Sequence, residues 1–307
     1  MLKKEIYYDS RDQVSKIHAV YWIPEGKPRA VIQLVHGMAE YIERYEPFAE
    51  FLTGHGFLVT GNDHLGHGKS KGSNPYGYFC KRDAATVLVR DVHRLKKMTQ
   101  EEYPGLSYFM IGHSMGSMIL RNYLCRYGTG IQGAVIMSTG IPKKSQLFMG
   151  AVLAHVLELF QGTKRESRIL NRISFGSYCD KIENPSGPNA WISTSEETVA
   201  AYEKDKQCGF LFTINGFFTL KALNMPLYQK EYLEKMPKSL PVMIVYGTED
   251  PVGNYGVAPE KLYRSFQEIG MQNVLIKKYE GMRHELLNEK EPEQVMQDIL
   301  CWIDRIN

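Results

Sequence analysis

Short apolar runs alternate with longer stretches of helical spacing along most of the chain. Compact runs such as Ala30–Val35 (AVIQLV) and Val242–Tyr246 (VMIVY) are typical of strands covered on both faces, whereas the alternation in Ile17–Ile23 indicates a half-exposed strand. The stretches between the runs place apolar residues three and four positions apart, as amphipathic helices do. Strands that alternate with helices predict a mostly parallel central sheet flanked by helices.

This alternation predicts where each strand and helix lies and where the strand-helix repeat stops. The predicted strands are Ile17–Ile23, Ala30–Val35, Phe57–Thr60, Tyr108–Ile111, Ala134–Met137, Val242–Tyr246 and Val274–Tyr279. The predicted helices are Tyr45–Gly54, Ala84–Glu102, Met115–Tyr127, Pro259–Ile269 and Pro292–Ile306. Between about 141 and 236 the strand-helix repeat is absent. We expect this segment to form a helical cap over the carboxyl edge of the sheet, where ligands bind in such folds.

A nucleophile motif stands between one predicted strand and the next predicted helix. The sequence GHSMG at 112–116 directly follows Tyr108–Ile111 and directly precedes Met115–Tyr127. A G-x-S-x-G motif needs this strand-turn-helix setting, because the sharp turn lifts the serine hydroxyl clear of the sheet. The alternative is a glycine-rich turn in which Ser114 only caps the helix. The context favours Ser114 as a nucleophile.

A serine nucleophile needs a base, and the base needs an orienting carboxylate. His284 is the histidine that follows the last predicted strand, in the loop before the C-terminal helix. Asp250 ends the run VMIVYGTED, where Pro251 favours an extended backbone and so a defined side-chain direction. Glu249 is the competing acid. The chain order serine, acid, histidine is that of α/β folds with this motif, and it predicts a triad of Ser114, Asp250 and His284.

Acyl transfer also needs backbone donors aimed at the developing oxyanion. The N–H of Met115, directly after the nucleophile, is one candidate. The second is the N–H of Met38, in the loop that follows Ala30–Val35. Other histidines lie at the same predicted edge of the sheet. We expect His36 to brace the loop after Ala30–Val35 rather than to act as a base, and His64 and His67 to be hydrogen-bonded within their own loop rather than to bind a metal. His113 is expected to pack under the site.

The motifs together resemble the monoacylglycerol lipase and lysophospholipase branch of the α/β-hydrolases, which is grouped with the serine aminopeptidase-like hydrolases. The resemblance rests on HGMAEYIERY, NDHLGHGKS, GHSMGS, YGTEDPV and MRHELLNE, and on the stretch AWISTSEETVAAYEKDKQCGFLFT at 190–213. It implies an α/β-hydrolase fold with a catalytic domain at 1–140 and 237–307 and a cap at 141–236, inserted after strand 6. It also implies the same triad and the same oxyanion amides. Three positions depart from the usual pattern: Tyr41, Leu65 and Ser195.

The composition of the chain bears on its binding partners, its cofactors and its localisation. With 43% hydrophobic and 23% charged residues the 307-residue chain is an ordinary globular sequence, and a net charge of +3 without a basic stripe gives no sign of nucleic-acid binding. The five scattered cysteines form no CxxC pair, so neither a disulfide framework nor a zinc site is indicated. No phosphate loop, dinucleotide motif or other cofactor site is visible. Without an apolar leader or an apolar run of spanning length, the protein is expected to be cytoplasmic.

Two apolar segments of the expected cap bear on the substrate. Leu147–Phe160 is either buried on the catalytic domain or lies at a membrane surface, which it would contact transiently with its basic neighbours. Phe210–Leu223 either lines an acyl channel or belongs to the core. We therefore expect a small hydrophobic ester, of the monoacylglycerol or lysophospholipid type. The alternatives are a short- or medium-chain carboxylesterase, an aminopeptidase, and a ligand-binding protein without activity; the sequence leaves the oligomeric state open.

Overall fold

The computed structural model describes residues 1–307, and one eight-stranded sheet runs through it. The strands lie in the order β1-β2-β4-β3-β5-β6-β7-β8. The first two are antiparallel to their neighbours and the other six run parallel. In chain order they are β1 Leu2–Asp9, β2 Lys16–Ile23, β3 Ala30–Val35, β4 Phe57–Asn62, β5 Ser107–His113, β6 Gly133–Met137, β7 Val242–Gly247 and β8 Val274–Tyr279.

Ten α-helices accompany the sheet. They are α1 Glu46–Gly54, α2 Ala84–Glu102, α3 Met115–Tyr127, α4 Lys144–Gln161, α5 Arg168–Phe175, α6 Glu196–Lys204, α7 Ile214–Asn224, α8 Lys230–Leu233, α9 Val257–Glu268 and α10 Glu293–Ile306. Helices α2, α3 and α9 cover one face of the sheet, and α1 and α10 cover the other. None of the helices combines the length and the apolar composition that crossing a bilayer requires.

The central strands bury both of their faces, which is why their sequences are continuous apolar runs. Alternate residues enter the core under α2, α3 and α9, among them Val31, Leu58, Met110, Ile136 and Ile244. The residues between them enter the core under α1 and α10, among them Ile32, Val59, Ile111, Val135 and Val245. The expected fold class, a mostly parallel sheet flanked by helices, is confirmed.

The N-terminal hairpin is where the sequence-based expectations fail. The strand β1 was not predicted, because it is an edge strand with the charged sequence LKKEIYYD and only Tyr8 is buried. The half-exposed interpretation of Ile17–Ile23 is wrong, since six of the eight residues of β2 are buried. Its neighbours β1 and β4 and both helical layers cover this strand, and its polar His18 is hydrogen-bonded inside to Asp63 at 2.8 Å.

The segment between β6 and β7 contains α4 to α8 and no strand. It contacts the loops that follow the parallel strands. The hydroxyl of Tyr202 and the N–H of Gly209 both donate to the carbonyl of Ala39, after β3, at 3.0 Å. The guanidinium of Arg283, after β8, donates to the carbonyl of Ala190 at 2.7 Å. These contacts place part of the segment at the carboxyl edge of the sheet.

Candidate active site

Ser114 occupies the single position between β5 and α3. Its backbone has φ 52° and ψ −118°, a left-handed conformation that is strained for a residue with a side chain. The N–H of Ser114 donates to the carbonyl of Met137, at the end of β6, at 3.1 Å. This is the strained strand-to-helix turn that the motif predicted, and it places Ser114 at the N-terminus of α3.

Two glycines make this turn possible. A Cβ atom on Gly116 would lie 2.0 Å from the carbonyl oxygen of Val35, and one on Gly112 would lie 2.7 Å from the carbonyl oxygen of Gly116. Both distances are far below van der Waals contact, so α3 approaches β3 and β5 only because these positions lack side chains. A Cβ on Gly37 would lie 3.1 Å from the Cβ of Ser114, which shows how closely the loop after β3 approaches the serine.

His284 and Asp250 meet at the same edge of the sheet. Asp250 follows β7, His284 follows β8, and both are buried. The Nδ1 of His284 lies 3.0 Å from each carboxylate oxygen of Asp250. Asp250 is itself fixed, because the N–H of Val252 donates to its Oδ1 at 2.9 Å. Glu249, the competing acid, is exposed and makes no hydrogen bond to His284.

The histidine is held next to the turn that carries the serine. His113, the residue before Ser114, contacts the main-chain carbonyl of His284 through Nε2 at 3.2 Å, and the two imidazole centroids are 4.8 Å apart. The ring of Trp191, from the segment between β6 and β7, lies 5.2 Å from that of His284. No hydrogen bond joins the hydroxyl of Ser114 to His284 in this structure; in apo enzymes such bonds are often long and shorten when substrate binds.

The two expected oxyanion amides lie where backbone N–H groups remain available. Met115 is the first residue of α3, and the first N–H groups of a helix have no partner within it. In the loop after β3, Gly37 donates its N–H to the Glu40 carboxylate and Ala39 donates its N–H to the Nε2 of His67 at 3.2 Å. Met38 lies between these two engaged amides and directly follows Gly37, where a Cβ would lie 3.1 Å from the Cβ of Ser114.

Three buried histidines support this loop. The Nε2 of His36 accepts the N–H of His64 at 2.9 Å, and the Nε2 of His64 lies 3.1 Å from the carbonyl of His36. The third, His67, accepts the N–H of Ala39, and its Nδ1 lies 3.0 Å from the carbonyl of Leu65. Burial lowers the pKa of His67 to about 3 and also lowers those of His36 and His64, so all three are neutral at physiological pH. No group of three or more His, Cys, Asp or Glu side chains is arranged to bind a metal ion.

A buried charged cluster beside the site was not predicted. Glu40 lies 2.9 Å from His113, 3.2 Å from Arg44 and 3.0 Å from the hydroxyl of Tyr45. Arg44 also forms a two-pronged ion pair with Glu285, with both N–O distances at 2.7 Å. These residues join the loop after β3 to the loop that carries His284. No sequence signal identified the pairing, because the partners are up to 241 positions apart.

Two of the unusual sequence positions have clear local roles. The hydroxyl of Tyr41 donates to Asp205, which follows α6, at 2.9 Å. The side chain of Ser195 accepts the N–H of Thr198 at 3.2 Å and so caps the N-terminus of α6, a task that serine performs about as well as aspartate. Tyr41 therefore contacts the segment between β6 and β7, and Ser195 stabilises a helix within it.

The sequence of this chain is similar to those of known proteins. A model of the family described as "Serine aminopeptidase, S33" matches residues 26–291. The chain belongs to this family. It is 28% identical to a monoacylglycerol lipase of Mycolicibacterium smegmatis, over 94% of each chain, and 28% identical to the Homo sapiens monoglyceride lipase, over 93% of this chain and 86% of that one.

A solved structure agrees with these sequence relatives. The highly thermostable carboxyl esterase from Bacillus coagulans, in complex with glycerol, superimposes with a TM-score of 0.91 at 30% identity, over 100% of this chain and 99% of that one. The fold, the family and these relatives establish the protein as an α/β-hydrolase of the monoglyceride lipase type and as a carboxylic ester hydrolase. The resemblance seen in the sequence is thereby confirmed.

Proposed function

We propose that the protein hydrolyses esters of hydrophobic acyl chains through an acyl-serine intermediate on Ser114. The observation that carries this proposal is the hydrogen-bonded pair of His284 and Asp250 beside the strained turn of Ser114. Asp250 orients the imidazole and stabilises its charged form, so that the free nitrogen of His284 serves as the base. The positive end of α3 adds a favourable field at the reacting serine.

The reaction then proceeds in two balanced steps. As the Oγ of Ser114 bonds to the ester carbonyl carbon, its proton passes to His284, and the oxyanion accepts hydrogen bonds from the N–H groups of Met38 and Met115. The ester C–O bond breaks, and the leaving alcohol takes the proton from His284. Water repeats the sequence on the acyl-serine and releases the acid. Each oxyanion donor contributes about 3–4 kcal/mol to such reactions.

We assign residues 141–236 to a cap and residues 1–140 and 237–307 to the catalytic domain. The support is that this segment interrupts the sheet between β6 and β7 and contacts the loops of Ala39 and His284. Its apolar stretch 210–223 is partly core, since Phe212 and Leu223 are fully buried. Phe210, Phe217 and Leu220 are only partly buried against the same core, and we propose that they face the acyl chain.

We propose a monoacylglycerol rather than a lysophospholipid as the substrate, in keeping with the names of the relatives. Beside the loop after β3, Arg44 lines a cleft of about 250 Å³ together with Tyr41, Tyr202 and Asp205, but neither Ser114 nor His284 lines this cleft. The guanidinium of Arg44 is bound by the carboxylates of Glu285 and Glu40 and is therefore not a free cation.

We further propose that α4 contacts the lipid surface from which such a substrate is taken. Only Ala151 and Ala154 are buried on this helix, which argues against the alternative of a helix packed into the core. Its exposed apolar side chains are Phe148, Met149, Val152, Val156, Leu159 and Phe160. Exposed basic residues flank it at both ends, at Lys143, Lys144, Lys164 and Arg165. Apolar side chains bordered by cations suit an interfacial helix on an anionic membrane.

A substrate panel tests the proposed function. It contains p-nitrophenyl esters from acetyl to palmitoyl, monooleoylglycerol, a lysophospholipid with the same acyl chain, and an alanine dipeptide. We expect kcat/KM for monooleoylglycerol to exceed that for the lysophospholipid by about tenfold or more, which corresponds to 1.4 kcal/mol. Faster turnover of the lysophospholipid would contradict the headgroup proposal. Release of free alanine without ester turnover would contradict the esterase proposal and favour a peptidase.

A further inference from the structure

Both ring nitrogens of His113 face hydrogen-bond acceptors. The side chain is buried beneath the turn of Ser114. Its Nδ1 lies 2.9 Å from a carboxylate oxygen of Glu40, and its Nε2 lies 3.2 Å from the main-chain carbonyl of His284. A carbonyl oxygen only accepts hydrogen bonds, so the Nε2 of His113 must carry a proton.

The contact at Nδ1 requires a second proton. Glu40 accepts the N–H of Gly37 and the hydroxyl of Tyr45, and it lies 3.2 Å from the guanidinium of Arg44. Burial alone would raise the pKa of Glu40, but His113 and Arg44 hold it well below its ordinary range. An ionised carboxylate only accepts hydrogen bonds, so Nδ1 must donate as well. A ring that donates from both nitrogens is an imidazolium.

We propose that His113 is a positioning residue that carries a positive charge in the active enzyme and holds the main chain of His284 in place for catalysis. It touches neither the substrate nor the reacting atoms in the reaction described above, and it acts through His284. The inference rests on the proposed function, because positioning matters only if His284 is the base. Because His113 precedes Ser114 in the chain and is hydrogen-bonded to the main chain of His284, it connects the nucleophile directly to the base.

The surroundings of His113 account for its charge. The titratable and charged groups that face it are Glu40, Arg44, Tyr45, Glu285, His284 and His36. The carboxylates of Glu40 and Glu285 balance the cations of His113 and Arg44, so the cluster has no net charge. Burial lowers the pKa of His113, but the contact with Glu40 outweighs burial and raises it above the ordinary histidine value.

His67 shows that burial alone does not charge a histidine at this edge. It is fully buried, but its ring meets one backbone N–H and one backbone carbonyl, and no carboxylate. Burial lowers its pKa to about 3, so His67 is neutral at physiological pH. The difference between the two histidines is the carboxylate of Glu40 on His113. Substitution of His67 therefore provides a matched control.

Loss of the proton from His113 has a defined consequence. A neutral ring donates from one nitrogen only, and it keeps the proton on Nδ1, because the hydrogen bond to the ionised Glu40 carboxylate is stronger than the one to a carbonyl. The bond from Nε2 to the carbonyl of His284 is therefore the one that is lost. We expect kcat to fall on the alkaline side, as His113 deprotonates and the His284 loop loses its anchor. A displacement of about 1 Å in a catalytic group lowers rates by up to about 100-fold.

The test is the dependence of kcat on pH for a soluble p-nitrophenyl ester, normalised to the fraction of enzyme that reacts with fluorophosphonate. We expect His113→Gln to lower kcat by about 10- to 100-fold, with KM changed by less than about twofold, and to remove the alkaline decline. Glu40→Gln should move the midpoint of the decline to lower pH. His67→Gln should keep the shape of the wild-type profile. An unchanged decline in His113→Gln, or an unchanged midpoint in Glu40→Gln, would overturn the proposal.

A second measurement covers the case in which a variant does not fold. Nitrogen-15 NMR of the histidine-labelled wild-type protein at pH 7.5 reports the protonation of each ring nitrogen. We expect both nitrogens of His113 to be protonated, with the signal assigned by its loss in His113→Gln or His113→Asn. A neutral His113 at this pH would refute the proposal. A protein with charged His113 but no ester turnover would instead refute the proposed function, so the two failures are distinguishable.

Discussion

At the scale of single residues, the orientation of His284 depends on one carboxylate. Asp250 contacts the Nδ1 of His284 with both oxygens, whereas the adjacent Glu249 points into solvent. Asp250→Asn should lower kcat by about 10³- to 10⁴-fold, because an amide neither selects the required tautomer nor stabilises the imidazolium. Steady-state hydrolysis of p-nitrophenyl butyrate measures this effect. Glu249→Gln is the matched control and should stay within about twofold of the wild-type rate; the reverse pattern would disprove the assignment of the acid.

The residues of the site differ in how far the sequence reveals them. Ser114, Asp250 and His284 follow from chain order and local motif, and the structure brings the last two into contact. The charges around His113 do not follow from the sequence. The partners of His113 are 73 and 171 positions away, and only the folded sheet brings them together. Hydrophobic periodicity carries no information about such contacts.

At the scale of elements, the approach of α3 to β3 fixes the serine. A methyl group at Gly116 would overlap the carbonyl oxygens of Val35 and His36, at 2.0 and 2.5 Å. Gly116→Ala should therefore lower the free energy of unfolding by about 3 kcal/mol or more, since neither backbone can move away without breaking the sheet. It should also reduce labelling by fluorophosphonate.

Gly150→Ala provides the comparison for this prediction. Gly150 lies within α4, and a Cβ there would meet no atom within 4 Å. The substitution should raise the free energy of unfolding by about 0.5–1 kcal/mol, because alanine favours the helix and loses less entropy on folding. Urea denaturation of both variants measures the difference. Equal stability of the two variants would contradict the close packing of α3 on β3.

The outer face of α4 supports a second prediction at this scale. Leu159 and Phe160 are 83% and 84% exposed. Replacing both by serine should weaken binding to anionic phosphatidylglycerol vesicles by about tenfold or more, because both side chains would lose apolar burial in the lipid. Val14→Ser, at an equally exposed position in the N-terminal hairpin, is the control and should bind as the wild type does. Vesicle sedimentation measures the binding, and undiminished binding of the double variant would show that α4 is not the contact surface.

At the scale of the whole molecule, a buried carboxyl joins the N-terminal hairpin to helix α2. Asp91, on α2, accepts the hydroxyl of Ser10 at 2.7 Å and the N–H of Arg11 at 2.6 Å. Burial raises the pKa of Asp91 to about 7, so the folded state favours the protonated form. Protonation of Asp91 therefore stabilises the folded state fully below about pH 4, and this stabilisation is lost as the pH rises through about 7.

Asp91→Asn tests this pH dependence. The amide is neutral at every pH, so the variant lacks the loss of stability between about pH 4 and 7 that Asp91 causes. Relative to the variant, the wild type should lose on the order of 3 kcal/mol from pH 4 to pH 8, measured by urea denaturation. The other titrating groups are common to both proteins, so the difference isolates Asp91. Parallel stability curves would show that Asp91 does not titrate in this range.

Most of the fold can be predicted from the sequence, and the elements that cannot be predicted have a physical reason for it. Compact runs such as Ala30–Val35 predict buried parallel strands, because burial on both faces demands continuous apolar sequence. The same reasoning does not predict the edge strand β1, because this strand is mostly exposed and its charged side chains interrupt the apolar pattern. In α4 the apolar composition predicts a helix but not its surroundings, and only the structure shows that most of it faces outward.

The central claim is that Ser114 is the nucleophile of an ester hydrolase. Mass spectrometry of the intact protein after reaction with a fluorophosphonate, followed by peptide mapping, tests it most directly. We predict a single adduct, located on the peptide that contains Ser114, and the loss of both the adduct and ester turnover in Ser114→Ala. An adduct on another residue, or ester turnover that persists in Ser114→Ala, would contradict the account.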